Sequence, residues 1–126
     1  MAGVILDSDV LIWWLRGRED VVEKIKAFLR DGEKLYITPV NVAEIWAGLR
    51  KNEERKVKMI FEVVEVLNID FEVGRLAGDY LNKYRKSHGV ELADALIAAC
   101  VDKYDMVLWT FNRKHYPMLR REDILE

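Results

Sequence analysis

The sequence predicts a single three-layer α/β domain in which helices cover both faces of a short parallel sheet. Short apolar runs rich in β-forming residues alternate with longer segments whose apolar residues recur at helical spacing. Strands that alternate with helices are joined by crossover connections, which makes the sheet parallel. The chain has 126 residues, the length of one domain, so we assign residues 1–126 to it.

The first half of the chain predicts two strands and three helices. Ser8 and Asp9 carry side-chain oxygens suited to a helix N-cap, and Thr38 is a cap residue placed directly before a proline. The elements expected here are a strand at 4–6 that Asp7 ends, a helix just after Asp7, a helix through 21–29 that ends near 31–32, a strand at 35–37, and a helix from Pro39 to about Arg50.

The helix that begins at Pro39 has two distinct faces. Glu44 lies on one face among mostly small neighbours. Gly48 costs on the order of 1 kcal/mol against alanine inside a helix, which suggests that another group approaches it closely. The apolar face is expected to point to the core and consists of Val42, Ile45, Trp46 and Leu49.

The second half of the chain continues the alternation. The helix that begins near Val90 is apolar almost all round, so we expect it in the centre of the domain, with Asp94 near its start. The elements expected here are a helix from Glu53 to about Val66, a strand at 67–69, a helix from Phe71 to Lys86, the helix from Val90 to about Tyr104, a strand at 106–109, a short helix through His115, and a last strand at 124–125.

Composition and charge exclude several classes of protein. The formal net charge is −2, unlike that of a strongly basic nucleic-acid coat protein. The lone Cys100 excludes an internal disulfide and a cysteine metal cluster, and its apolar neighbours indicate a buried, inert thiol. Every apolar run is too short to span a membrane and no signal peptide is visible, so we expect no membrane association and a cytoplasmic protein.

Three carboxylates occupy places that the pattern marks as interior or ligand-facing: Asp7, Glu44 and Asp94. A buried carboxylate without a partner is costly. If the three converge within about 4 Å, each pair repels by roughly 4 kcal/mol at an effective dielectric near 20. A divalent cation reverses the sign of that energy. Oxygen ligands suit Mg²⁺ or Mn²⁺, and the lack of nearby His or Cys in the sequence argues against zinc.

Each of these residues also has a purely structural interpretation. Asp7 is suited to cap the following helix, Glu44 to face solvent, and Asp94 to stabilise the start of its own helix. Asn112 is most economically a cap or turn residue, and His115 a surface or packing histidine.

Four stretches, in this order along the chain, carry a family resemblance: I-L-D-S-D-V-L-I-W-W-L, T-P-V-N-V-A-E-I-W-A-G-L, L-A-D-A-L-I-A-A and L-W-T-F-N-R-K-H-Y. Together they resemble a PIN domain of the VapC type, the toxin half of bacterial and archaeal toxin–antitoxin pairs. The likeness spans nearly the whole chain. Each motif is weak alone, but four in order at these spacings are fairly specific.

The resemblance implies a sheet ordered 3-2-1-4-5 and a magnesium-dependent endoribonuclease. By position, Asp7, Glu44 and Asp94 match the first three acidic residues of the family, and Ser8 matches the small hydroxyl residue that follows the first. Thr110 and Asn112 match the motif after the fourth strand, where many members carry aspartate at the position of Asn112. An amide supplies no charge, so this departure implies a weakly held second metal ion or reduced activity. The implied partners are single-stranded or structured RNA, a small antitoxin protein and a second copy in a homodimer.

The expected mechanism uses water activated by the metal ion rather than a side-chain nucleophile. Arg50, Arg113 and Lys114 are candidates for contacts to the RNA backbone. Two alternatives stay open. A phosphoryl-transfer domain of the haloacid-dehalogenase or receiver type would use Asp7 as the acceptor and needs a lysine, for which Lys114 is a poor match. A non-catalytic binding module would keep the fold without a working site.

Overall fold

The structure is a computed structural model that describes residues 3–126. Within them the strands are β1 (Val4–Leu6), β2 (Leu35–Ile37), β3 (Glu65–Val66), β4 (Val107–Trp109) and β5 (Ile124–Leu125). The helices are α1 (Ser8–Leu15), α2 (Glu19–Arg30), α3 (Pro39–Ala47), α4 (Glu54–Val63), α5 (Phe71–His88) and α6 (Leu92–Tyr104). Two short 3-10 turns, Arg113–His115 and Arg121–Asp123, follow β4.

The five strands form one parallel sheet in the order β3-β2-β1-β4-β5, which confirms the predicted fold. The central strand β1 pairs on both sides, with Val4 opposite Leu35 of β2 and Val107 of β4. All the strands run in one direction, so the loops that follow them meet at one edge. Ligands bind at this edge in open α/β sheets.

The sheet separates two hydrophobic cores. Val4 and Leu6 face the core built with α1 to α4, whereas Ile5 faces the core built with α5 and α6. Because both faces of β1 are covered, all three of its residues are apolar and fully buried. Helix α6 lies in the centre as predicted, with Ala95, Ile97, Ala98, Ala99 and Cys100 almost wholly excluded from solvent.

Helix α5 is the longest of the described helices, with 18 residues. It begins where the side chain of Asp70 accepts a hydrogen bond from the backbone of Val73, and it ends at Gly89, whose φ of 64° is the left-handed conformation that glycine adopts without strain. Neither α5 nor any other helix within residues 3–126 is both long and apolar enough to cross a membrane.

The third strand lies two residues earlier than predicted. Its residues Glu65 and Val66 pair with Tyr36 and Ile37 at the exposed edge of the sheet. The apolar residues that suggested a strand at 67–69 instead turn into the core: Leu67 is buried, and its backbone N–H donates to the carbonyl of Ile37 at 2.8 Å. Helix α4 therefore also ends earlier than expected, at Val63 rather than near Val66.

Two expectations about α3 were wrong. The helix ends at Ala47, so Gly48 is its C-cap rather than an interior residue, and a side chain there would meet only the carbonyl oxygen of Glu44 at 3.4 Å. Trp46 is 47% exposed instead of buried. The inward stripe of this short helix is taken by Ile45 and Val42, and the next residue along the chain is rotated about 100° away from it.

Candidate active site

A polar cavity of about 250 Å³ opens at the carboxyl edge of the sheet. It lies where the loops after β1, β2 and β4 meet the start of α6. The three predicted carboxylates, Asp7, Glu44 and Asp94, all line it, although 37 and 50 positions separate them along the chain. The cavity is also lined by Ser8, Asp9, Gly89, Glu91, Ala93, Asn112 and His115.

Asp7 is the most firmly held of these carboxylates. It is the N-cap of α1, and its Oδ1 accepts a hydrogen bond from the backbone of Ser8 at 2.8 Å. Its Oδ2 accepts two more, from the hydroxyls of Thr110 and Tyr116, each at 2.8 Å. The capping interpretation is thus correct, but it describes only one of the two carboxylate oxygens. Three donors from three segments set the position of this side chain.

Tyr116 was not predicted as a site residue. Burial, together with the charge of Asp7, raises the pKa of its phenol far above the ordinary value, so the hydroxyl stays neutral and donates to Asp7. Its position six residues after Thr110 gives no hint of this contact in the sequence. The 3-10 turn at Arg113–His115 brings it back beneath the cavity.

Glu44 is positioned by a chain of hydrogen bonds that begins at the start of its own helix. Ser8 Oγ donates to Glu44 Oε1 at 2.7 Å and accepts from Asn41 Nδ2 at 3.0 Å. The side-chain oxygen of Asn41 in turn accepts from the backbone and the hydroxyl of Thr38, both at 2.9 Å. Asn41 and Thr38 are fully buried, so the relay is fixed by the core. The Thr38–Asn41 spacing is that of a capping box. This spacing is the one feature of the sequence that indicates the relay.

Asp9 is a fourth carboxylate that sequence reasoning assigned only to a helix start. Its Oδ1 accepts from the backbone of Val10 at 2.7 Å, while its Oδ2 accepts from the backbone of Phe111 at 2.9 Å and from Asn112 Nδ2 at 3.0 Å. Burial, followed by the charge of Asp7, raises the pKa of Asp9 to about 6. Asn112 therefore lines the cavity as a hydrogen-bond donor to Asp9. Its backbone N–H also donates to the hydroxyl of Thr110 in the loop after β4.

Asp94 lies in the first turn of α6, opposite the loop after β4. Burial raises the pKa of Asp94, while the nearby imidazole of His115 acts in the opposite direction. His115 was expected to be a surface or packing residue. It is exposed, as expected, but it lies at the cavity and is the one basic residue among those that line it.

Acidic side chains dominate the lining of the cavity. Within residues 3–126 none of the ion pairs involves Asp7, Asp9, Glu44, Glu91 or Asp94. In the same part of the chain no three His, Cys, Asp or Glu side chains already stand together as a set of metal ligands. The donors that face the cavity are carboxylate oxygens, which fit a hard divalent cation whose coordination is completed by water.

Of the residues expected to contact RNA, none lines the acidic cavity. Arg113 and Lys114 lie in the adjoining 3-10 turn and line a separate groove. Arg50 lies beyond the end of α3, where its backbone N–H donates to Glu53 at 2.8 Å. Because no lysine lines the cavity within the described residues, the geometry gives no support to the phosphoryl-transfer alternative, which needs one.

The chain is thus an α/β domain with an acidic cavity at the carboxyl edge of its parallel sheet. The family model described as PIN domain matches residues 4–118, and this chain belongs to the PIN domain family. Among curated relatives, Ribonuclease VapC10 of Mycobacterium tuberculosis is 37% identical over 119 residues, covering 94% of this chain and 89% of that protein. Ribonuclease VapC19 of the same organism is 28% identical over 115 residues, covering 90% and 92%.

Solved structures share the fold at low identity. A toxin–antitoxin complex from Klebsiella pneumoniae superposes with a TM-score of 0.79 at 19% identity, covering 98% of this chain and 97% of that one. The DNA-bound VapBC of Salmonella typhimurium gives a TM-score of 0.79 at 21% identity, covering 98% and 96%. At these identities the comparison concerns the fold alone.

Proposed function

We propose that this protein is a metal-dependent endoribonuclease that hydrolyses phosphodiester bonds in RNA, acting as the toxin of a VapBC-type toxin–antitoxin pair. The observation that carries the proposal is the meeting of Asp7, Glu44 and Asp94 at one cavity whose described lining has five acidic residues and a single basic one, the exposed His115. The names of the relatives VapC10 and VapC19 support the choice of RNA as the substrate class.

Asp7, Asp94 and Glu44 would hold one or two Mg²⁺ ions, with Mn²⁺ as a substitute. The bound cation supplies an acidified water and offsets the charge that develops on the phosphate. The protein itself fixes Asp7 and Glu44 in advance. Thr110 and Tyr116 set the direction of Asp7.

The relay through Ser8 acts on Glu44 in the same way. It occupies Oε1, and none of the described residues donates to Oε2. Asn112 has no charge to contribute, and its amide instead orients Asp9, so its role is positional. Without a cation, the negative cavity would repel the one phosphate that enters it, so RNA binding in EDTA would depend on contacts outside the cavity.

The test is cleavage of a mixed single-stranded RNA pool by the wild type with Mg²⁺, with EDTA, and by the Asp94→Asn variant. The matched control is Asp102→Asn, the same change at an exposed position of the same helix. We expect cleavage by the wild type and the control with Mg²⁺ only, and a loss of at least a hundredfold in Asp94→Asn. Cleavage that survives both EDTA and Asp94→Asn defeats the proposal, and so does RNA binding without any cleavage, the behaviour of a non-catalytic module.

The proposed partners are a small antitoxin protein and a second copy of this chain. The antitoxin is supported by the neighbouring structure described as a toxin–antitoxin complex. The second copy is supported by two exposed tryptophans, Trp13 at 42% and Trp46 at 47%, which a partner surface would cover. Light scattering of the purified protein measures its mass in solution, and for a homodimer we expect twice the 14.8 kDa of one chain. A single-chain mass at micromolar concentration contradicts the homodimer.

A further inference from the structure

A second depression, the basic groove, lies beside the acidic cavity. It has a volume of about 580 Å³ and is lined by His88, Arg113, Lys114 and Arg121 above a floor that includes Tyr116 and Leu119. Its basic side chains come from two separate parts of the chain: the end of α5 and the segment between β4 and β5. A chain with a net charge of −2 therefore has a local concentration of positive charge here.

The basic groove and the acidic cavity share a wall. Gly89 lines the cavity and His88 lines the groove, while Asn112 lines the cavity and Arg113 lines the groove. Tyr116 joins the two in another way, because it lies in the floor of the groove and donates its hydroxyl to Asp7. The two depressions therefore adjoin at 88–89 and at 112–113.

The positive charges of the groove are largely available to a ligand. Within residues 3–126 neither Lys114 nor Arg121 has a carboxylate within 4.0 Å, although the neighbouring Arg120 is paired with Asp123 at 3.1 Å. Arg113 contacts Glu126 at 3.2 Å, but both side chains are about half exposed, so that pair contributes little and is easily replaced.

A purely structural interpretation accounts for only part of this charge. Basic residues in the last turn of a helix are favoured by the helix dipole, which explains Arg85, Lys86 and His88 at the end of α5. Lys114 and Arg121 lie on other segments, where no α-helix ends, and two exposed cations facing one groove repel each other. Their placement points to an anionic ligand.

We infer that the basic groove binds the phosphate backbone of a single-stranded RNA whose cleaved bond lies in the acidic cavity, an inference that rests on the proposed ribonuclease function. Phosphates that follow the cleaved one would contact Lys114 and Arg121, with Arg113 released from Glu126 to join them. An acidic protein segment would bind the same cations, and the test distinguishes it from RNA. RNA is favoured because the adjoining cavity holds the carboxylates proposed to act in its cleavage.

The test is a double variant, Lys114→Glu with Arg121→Glu, compared with Arg55→Glu with Lys56→Glu. The control pair is exposed and makes the same change of charge on α4, whose buried residues Val57 and Ile60 pack on the other side of the sheet. Binding of a fluorescein-labelled single-stranded RNA is measured by anisotropy in EDTA at several salt concentrations. Cleavage kinetics with Mg²⁺ follow on the same RNA.

We expect the groove variant to bind RNA at least tenfold more weakly and to lower the slope of log affinity against log salt by about 1.4, the value for two lost contacts to a single strand. Its KM should rise by a similar factor with kcat little changed, while the control variant behaves as the wild type. A milder variant, Lys114→Gln with Arg121→Gln, is expected to have an RNA affinity between those of the groove variant and the control variant. It keeps the test valid if the glutamate variant does not fold.

Unchanged affinity and salt slope in both groove variants overturn the inference. An equal loss in the control overturns it too, because the effect would then be one of net charge. If the groove variants still bind RNA but no longer bind a polyglutamate peptide, the groove binds an acidic protein instead of RNA. Binding in EDTA does not depend on catalysis, so a wild type that binds RNA through Lys114 and Arg121 but never cleaves it refutes the proposed function and leaves the groove standing.

Discussion

The phenolic hydroxyl of Tyr116 donates a 2.8 Å hydrogen bond to Oδ2 of Asp7, across 109 positions of the chain. Both groups are almost fully buried, with 2% and 8% of their surface exposed. A buried carboxylate is costly unless hydrogen-bond donors or cations replace its lost hydration, so this contact helps to hold Asp7 in place and directed at the cavity.

Replacing Tyr116 with Phe tests that contact. The change removes one of two hydroxyls on Oδ2 and leaves Thr110 in place, so we expect the protein to fold with a loss of roughly 1 to 2 kcal/mol in unfolding free energy. RNA cleavage with Mg²⁺ should fall about tenfold, the equivalent of 1.36 kcal/mol in the barrier. Tyr104→Phe is the control, because that hydroxyl donates to the carbonyl of Asn68, away from the cavity. Full activity in Tyr116→Phe would contradict a positioning role.

Ser8→Ala should loosen Glu44 and also destabilise the fold. The hydroxyl that is lost bridges Asn41 and Glu44, so the buried amide of Asn41 is left without an acceptor, at a cost of roughly 1 to 3 kcal/mol. Urea unfolding measures that loss, and calorimetric titration with Mn²⁺ measures the affinity of the site, which we expect to fall several-fold. Ser8→Thr keeps the hydroxyl and should restore both. If Ala and Thr behave alike, the relay does not position Glu44.

The metal-free protein should be less stable at high pH because of Asp9. Its pKa is raised from 3.8 to about 6, so its contribution to stability is complete below the lower value and is lost as pH rises through the upper one. We expect a loss on the order of 2 kcal/mol between about pH 4 and pH 8, after allowance for its partial exposure. Thermal melting in EDTA measures it. Asp9→Asn should flatten this dependence, and an equally steep profile in that variant would assign the effect to other groups.

Cys100 should be inert in the folded protein. It is fully buried in α6, and burial raises the pKa of its thiol to about 11. Because the thiolate is the reactive form, we expect negligible alkylation by iodoacetamide near pH 8 in the native state and rapid alkylation in urea. Mass spectrometry of the intact chain distinguishes the two. Rapid modification of the native protein would show that α6 opens locally or is less buried than the structure shows.

Local patterns were sufficient for most of the fold. The apolar run at 4–6, the cap and proline at Thr38 and Pro39, and the apolar helix around Asp94 all predicted elements that the structure contains. These patterns are reliable because helix caps and the spacing of apolar residues depend on residues that are close together in the sequence. They failed for β3, because Leu67 and Ile69 have the pattern of a strand but pack against the core beyond it. They also failed for Trp46, which is exposed because α3 is short and directs it to solvent.

The sequence by itself thus determined an α/β domain, the identity of three carboxylates that line one cavity and the family to which the chain belongs. Only the tertiary structure decided how those carboxylates are held: Tyr116 on Asp7, the relay from Asn41 to Glu44, and the inclusion of Asp9. Hydrogen bonds between residues 33 to 109 positions apart leave no periodic trace in a sequence. They depend on which loops the crossover connections bring to the same edge of the sheet, and that follows from the packing of the whole domain.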